Sequence, residues 1–236
     1  MGYQHIFERY EIKYRVNRHQ METLLEAIGD RIKGDAYGRS TVCNVYYDTP
    51  DYRLIRRSRE RPLYKEKLRV RSYGQASPDS TVFVELKKKY RSIVYKRRVS
   101  LTEADALAYL AGEKAVEDKQ IVREIDYFKD FYAPLQPAMY LCYDREAFYD
   151  KEDSGFRITF DDNIRWRQTE LSLCHPPGGE RLLPEDVILM EVKTATGLPL
   201  WFTDVLTREK IFKSPFSKYG TAYTITQQRT VQKTTV

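Results

Sequence analysis

The sequence is poor in the residues that carry most enzyme chemistry. Its three cysteines, Cys43, Cys142 and Cys174, are odd in number and widely spaced, and no Cys-x-x-Cys occurs. Neither a disulfide framework nor a zinc site is implied, and the three read as small core residues in a reducing cytosol. The histidines, His5, His19 and His175, are scattered without metal-ligand or triad spacing, so no histidine general base is encoded. There is no Gly-x-Ser-x-Gly elbow. Gly29 and Gly34 have the separation of a phosphate-binding loop, but Asp35 stands where its lysine must be, and a P-loop is rejected. No apolar run approaches the ~20 residues needed to span a bilayer. The N-terminus has no apolar signal region, and Ile6 occupies the Ser/Thr position of a myristoylation signal. The chain reads as soluble.

Charge is plentiful. The 236 residues hold 40 basic and 34 acidic side chains, a net +6 that favours anionic partners only modestly. Nineteen tyrosines, with many strand-like runs, lean towards a β-rich fold. No stretch has linker composition, so residues 1–236 are expected to form one domain, with a polar, frayed tail from about residue 228.

The most informative stretch runs from Lys67 to Arg98. Lys67-Leu68-Arg69-Val70-Arg71, Val82-Phe83-Val84-Glu85-Leu86-Lys87 and Ile93-Val94-Tyr95-Lys96-Arg97-Arg98 alternate charged and apolar residues with period two, separated by turns. They predict antiparallel strands. One solvated sheet face would explain a single hairpin. However, the Glu-apolar-Lys pattern of Glu85-Leu86-Lys87 recurs as Glu11-Ile12-Lys13 and Glu191-Val192-Lys193. Three strands with that signature suggest one shared charged surface. If the sheet closes into a barrel, its interior is too polar for a packed core and suits a polyanion with a metal.

Around these strands, Asn17 and Gln20 have capping-box spacing ahead of a helix carrying Met21, Leu24, Leu25 and Ile28. Thr49 and Pro50 suit the cap and first position of a short helix bearing Arg53, Arg56, Arg57, Arg59 and Arg61. Thr102 with Asp105 caps another helix, and a further one is expected from about Glu117 to Phe131. Fixed cations interleaved with a few carboxylates fit phosphoryl transfer, which needs positioning, charge neutralisation and a divalent metal. Arginine suits bidentate grips on phosphate oxygens and lysine supplies point charge.

The motifs Arg9-Tyr10-Glu11-Ile12-Lys13-Tyr14, Val45-Tyr46-Tyr47-Asp48-Thr49, Lys67-Leu68-Arg69-Val70-Arg71 and Val84-Glu85-Leu86-Lys87 occur in that order. Tyr95-Lys96-Arg97-Arg98, Tyr143-Asp144-Arg145, Arg157-Ile158-Thr159-Phe160-Asp161, Glu191-Val192-Lys193 and Ser217-Lys218-Tyr219 follow them. Taken together they resemble the catalytic VTC (vacuolar transporter chaperone) domain, a polyphosphate polymerase family of the CYTH-like triphosphate tunnel metalloenzymes, in a stand-alone bacterial form. The resemblance implies an α+β fold: an antiparallel, eight-stranded β tunnel or barrel with helices packed outside. It implies transfer of the ATP γ-phosphate to a growing polyphosphate chain, with release of ADP.

By motif, Lys13, Arg69, Arg71, Lys87, Lys96, Arg145 and Lys218 would grip phosphates, while Tyr143 and Ser217 would add hydrogen bonds. Glu191 would hold Mn²⁺ or Mg²⁺. Arg157 and Lys193 extend the set by strand parity, and Arg9, Glu11 and Glu85 are further lining. The expected partners are ATP and inorganic polyphosphate, not nucleic acid. The expected location is cytoplasmic, with a separately encoded membrane-protein partner able to hold the chain at the inner face of the membrane. Tunnel hydrolases generally begin Glu-x-Glu-x-Lys, whereas Arg9 replaces the first Glu here, in keeping with the polymerase branch. Two alternatives stay open: a tunnel hydrolase of tripolyphosphate or nucleoside triphosphates, and a non-catalytic polyanion-binding module.

Overall fold

The computed structural model describes residues 10–91, 93–153, 155–195 and 197–234. Arg9 lies outside them. The first half comprises β1 (Tyr10–Val16), α1 (Arg18–Ile28), β2 (Ile32–Gly34), β3 (Ser40–Asp48), α2 (Arg53–Arg59), β4 (Tyr64–Tyr73), β5 (Thr81–Tyr90) and β6 (Ile93–Thr102). The second half comprises α3 (Glu103–Ala111), α4 (Gln120–Phe131), β7 (Gln136–Asp150), β8 (Arg157–Arg167), β9 (Glu180–Arg181), β10 (Ile188–Thr194), α5 (Leu200–Arg208) and α6 (Lys218–Thr234).

Strand alternation decides which face each residue joins, and the two faces here have opposite character. The eight long strands pair antiparallel in the order β1-β10-β8-β7-β3-β4-β5-β6, with β2 added to β7 and β9 to β8. Leu68, Val70, Val84 and Leu86 point outward and pack beneath Ala106 and Tyr109 of α3 and Ile125 and Phe128 of α4. On the other flank, Tyr14, Ile158, Met190 and Val192 pack against Leu24 and Ile28 of α1 and Phe202 and Val205 of α5. Each fully buried aliphatic side chain contributes roughly 1.5–3 kcal/mol, and these two clusters hold the sheet curved with its charged face inward. The fold is an α+β, antiparallel, eight-stranded tunnel.

The expected barrel differs in one respect. Among the described residues β1 and β6 share no backbone ladder, so the sheet is curled without a hydrogen-bonded seam. A side-chain pair crosses instead, Lys87 Nζ on β5 to Glu11 Oε2 on β1 at 3.4 Å.

Helix α6 also departs from the expectation that helices lie outside. Its Tyr219, Ala222 and Tyr223 join a third cluster with Val42, Tyr46, Leu141, Tyr143 and Leu189. Those strand residues share the parity of the charged face, so α6 fills the apolar end of the interior. It continues to Thr234, beyond the point where the sequence turns polar.

The capping box of α1 forms as expected, and Thr102 Oγ1 accepts the Asp105 amide at 3.2 Å at the start of α3. Helix α2 starts later than Thr49 and Pro50 suggest. Thr49 Oγ1 still accepts the Arg53 amide at 2.8 Å, and the buried Asp48 adds to the cap, its carboxylate accepting the amides of Thr49 (2.9 Å), Leu54 (2.8 Å) and Ile55 (3.0 Å). Tyr219 Oη donates to the same carboxylate at 2.8 Å, tying α6 to α2. Helix α4 begins at Gln120 instead of Glu117. No helix among the described residues is long and apolar enough to cross a membrane.

Candidate functional site

The inward parity of seven strands converges on one cluster. β4 contributes Lys67, Arg69 and Arg71; β5 contributes Glu85 and Lys87; and Lys96 comes from β6. β7 brings Tyr143 and Arg145, β8 brings Asp161, β10 brings Glu191 and Lys193, and β1 brings Glu11 and Lys13. Ser217 and Lys218, at the start of α6, complete the set.

The cluster is organised around carboxylates, each gripped by several cations. Glu85 is fully buried and is met by Arg69 at 2.8 Å, Lys96 at 2.5 Å and Arg71 at 3.7 Å. Asp161 is also fully buried; Arg145 forks onto both its oxygens, at 2.5 and 2.7 Å, and Lys218 donates to one of them. Glu191 accepts from Lys13 at 2.9 Å, with Lys218 at 3.6 Å and Arg145 at 3.9 Å. Glu11 lies between Lys13 at 3.3 Å and Lys87 at 3.4 Å. Neutral groups fill the gaps. Arg71 Nε donates to Asn44 Oδ1 at 3.0 Å, Arg69 Nη1 to Tyr46 Oη at 3.0 Å, and Lys67 Nζ to Ser217 Oγ at 3.1 Å. The Lys218 ammonium also lies over the Tyr143 ring, 4.3 Å from its centroid.

Charges this crowded shift one another's protonation. Burial alone would push Glu11 and Glu85 upward, but Lys87 and Lys13 hold Glu11 at about 2, and Arg69, Arg71 and Lys96 do the same for Glu85. Asp161 and Glu191 are also held below the ordinary carboxylate range, by Arg145 and Lys218 and, for Glu191, foremost by Lys13. Burial depresses Lys67 and Lys193 to about 8, with neighbouring cations adding to the fall. Burial raises the Tyr46 phenol, yet Arg69, Lys67 and Arg71 outweigh it and bring the group down to about 8. The interior thus holds more positive charge than its carboxylates neutralise, a fixed deficit that a polyanion can fill.

The VTC domain family model matches residues 8–227. The chain belongs to the VTC domain family. Among solved structures, a candidate adenylate cyclase from Bacillus halodurans is similar at a TM-score of 0.53 and 14% identity, covering 89% of this chain and 95% of that one. A Hippeastrum protein, described as an adenylyl cyclase candidate with a dominant triphosphatase activity, gives a TM-score of 0.49 at 13% identity, over 89% of this chain and 93% of its own. A candidate adenylate cyclase from Vibrio parahaemolyticus gives 0.49 at 12% identity, over 91% and 97%. The Bacillus halodurans likeness supports the tunnel fold. A search of the curated proteins returned no match.

Within this VTC domain, Lys13, Arg69, Arg71, Lys87, Lys96, Tyr143, Arg145, Lys193, Ser217 and Lys218 share the interior with Glu11, Glu85 and Glu191. Arg157 stands apart from their ion pairs. It faces Lys193 in register, yet its guanidinium pairs with Asp35 at 3.4 Å and lies over the Tyr149 ring. Four contributors escaped the sequence reading of the site. Lys67 shared the parity of Arg69 and could have been found by it. Asp161 follows Arg157 by four residues on one strand face. Asn44 and Tyr46 carry no charge pattern, and only the fold reveals their contacts.

A divalent ion fits this lining in a particular way. Among the described residues no group of three or more His, Cys, Asp or Glu converges on one point. Glu11 and Glu191 are diagonal neighbours on β1 and β10, close enough for the Glu191 charge to oppose the lowering of the Glu11 pKa. Asp161 is locked by Arg145 and Lys218. One or two carboxylates, with phosphate oxygens completing the shell, is the donor set Mg²⁺ commonly takes. Glu191, with Glu11 beside it, would hold such an ion.

Proposed function

We propose that this VTC domain is a polyphosphate polymerase that moves the γ-phosphate of ATP onto the end of an inorganic polyphosphate chain and releases ADP. The observation that carries the reading is the state of the four interior carboxylates. Each is ion-paired and held at about 2 or below its ordinary range. A general base for water works best with a pKa near the operating pH, and each of these carboxylates is instead paired with cations that hold it on the acid side of its ordinary range. The terminal oxygen of a phosphate chain is already an anion and needs no base.

The residues divide the labour by position. Arg69, Arg71 and Lys96 on one wall, and Lys13, Arg145 and Lys218 on the other, exchange carboxylate partners for phosphate oxygens. Lys87 and Lys193 add charge between them, and Tyr143 and Ser217 supply hydrogen bonds. The acceptor oxygen attacks Pγ in line; the new P–O bond forms as the bond from Pγ to the β,γ-bridging oxygen breaks, and that electron pair leaves on ADP. No side chain is phosphorylated. When bound, Mn²⁺ or Mg²⁺ would neutralise charge on the donor's oxygens, and Glu191 would anchor it. Every protein group acts by holding charge in place before the reaction, which is where electrostatic catalysis gains most.

The test is to incubate the protein with ATP and Mn²⁺ or Mg²⁺ and to separate ADP, free phosphate and long polymer. Polymer accumulating with ADP supports the proposal. Free phosphate in step with ADP assigns a hydrolase, and no turnover assigns a polyanion binder.

A further inference from the structure

Arg98 lies on the charged face of β6, opposite Glu85 in register, but grips no carboxylate. Arg98 is exposed and forms no ion pair among the described residues. Its guanidinium lies over the Phe83 ring, 4.2 Å from the centroid. Tyr73 meets Phe83 edge-on at 6.0 Å between ring centres and is 55% exposed. All three have the inward parity of the cationic strands: Tyr73 follows Arg71 by two residues, Phe83 precedes Glu85 by two, and Arg98 stands opposite Glu85 in register. At the rise of a strand, Phe83 is about 7 Å from Glu85 along β5. Phe83 thus backs the exposed guanidinium, with an exposed tyrosine beside it.

We propose that Arg98, backed by Phe83 and flanked by Tyr73, is the platform on which the nucleobase of the phosphate donor stacks. This rests on the reading of the interior as a nucleoside triphosphate site and adds the part of the ligand that phosphate-gripping cations cannot recognise. A planar guanidinium on an aromatic ring presents a π-surface to a base, and such stacking is tolerant of base identity. The phosphates would then extend from the platform towards Arg71, Arg69 and Lys96, one strand step away. A flat site open on one side accepts purines generally, so preference for adenine over guanine is expected to be slight.

The experiment compares two probes that differ by the nucleoside: ADP and inorganic pyrophosphate, each titrated with Mg²⁺ into the whole chain and two variants. Arg98→Lys keeps the charge and loses the plane; Phe83→Leu keeps apolar volume and loses the ring. Both should weaken ADP about tenfold and leave pyrophosphate within twofold. Equal loss for both probes would make Arg98 a phosphate grip, and unchanged ADP binding would remove the platform; either overturns the proposal. The wild type separates this from the reading it rests on. If it binds ADP more tightly than pyrophosphate through these residues yet transfers no phosphate, the platform stands and the polymerase reading falls.

Discussion

Lys87 on β5 reaches Glu11 on β1 at 3.4 Å, although no backbone ladder joins the two edges of the sheet. That contact crosses the interior, and it distinguishes cations that are in surplus from cations that hold the lining together. Lys87 has this one carboxylate partner, which Lys13 shares, and its side chain is 38% exposed. Arg69 instead meets the buried Glu85, which also has Lys96 and Arg71.

Lys87→Ala and Arg69→Ala should therefore separate function from stability. Both should lower turnover by on the order of a hundredfold or more, since each removes a preorganised charge. Lys87→Ala should cost less stability than Arg69→Ala, because Lys87 is 38% exposed and Glu11 keeps Lys13. Arg69→Ala should lose on the order of 1–3 kcal/mol, less than for an isolated buried pair because two cations remain on Glu85. Thermal unfolding alongside the turnover assay checks both.

Glu191→Gln keeps the shape and hydrogen-bonding capacity of the side chain and removes its charge. Turnover should fall on the order of a hundredfold and recover partly as Mn²⁺ or Mg²⁺ is raised. Metal-free binding of preformed polyphosphate should hold or tighten, because Lys13, Lys218 and Arg145 lose a competitor. Metal titrations matching wild type would remove Glu191 from the site.

The lysines set a pH dependence of definite sign. Burial and neighbouring cations bring Lys67 and Lys193 to about 8, below the ordinary 10.5. As pH rises through 8 they lose their protons in the folded chain, so polyphosphate affinity should fall between about pH 7.5 and 9. Stability of the free protein should move the other way from pH 8 towards 10.5, where the unfolded chain binds more protons at these two positions. The carboxylates work at the acid end. Glu11 and Glu85 lie at about 2 instead of 4.5, so the stability they contribute is present above 4.5 and is lost as pH falls towards 2. Binding and melting across both ranges check the signs.

Much of this was legible in the sequence, for a simple reason. Period-two alternation through Leu68, Val70, Val84 and Leu86 encodes two faces locally, and the charged one could be read without knowing the sheet order. The Asn17–Gln20 capping box is equally local. What depended on distant packing was not legible. Asp48 caps α2 through the Leu54 and Ile55 amides and also receives Tyr219, 171 residues away. Helices were expected outside the tunnel, yet Tyr219 of α6 stacks on Tyr46 at 4.7 Å within the interior. Arg157 had the right parity, but Asp35, on the loop after β2, takes its guanidinium. The short strands β2 and β9 have too few residues to show a period.

Neighbouring lysines on opposite faces test whether the interior is a tunnel or an open basic surface. Lys88 points outward, 3.6 Å from Glu124 of α4 and 4.0 Å from Glu66. Long-chain polyphosphate should compete with ATP at far lower concentration than duplex DNA of equal phosphate content, because an eight-stranded interior admits one chain and excludes a duplex. Lys88→Glu should barely alter that competition, while Lys87→Glu should remove it. Salt will weaken both kinds of binding and does not discriminate.

The most direct measurement follows the fate of the transferred group. Short polyphosphate of defined length is supplied as acceptor with ATP and divalent metal, and ADP, free phosphate and acceptor length are recorded together. The account predicts that each ADP formed is matched by one phosphate added to the acceptor, with little free phosphate and a rate that rises with acceptor concentration. Free phosphate equal to ADP, with acceptor length unchanged, would contradict it.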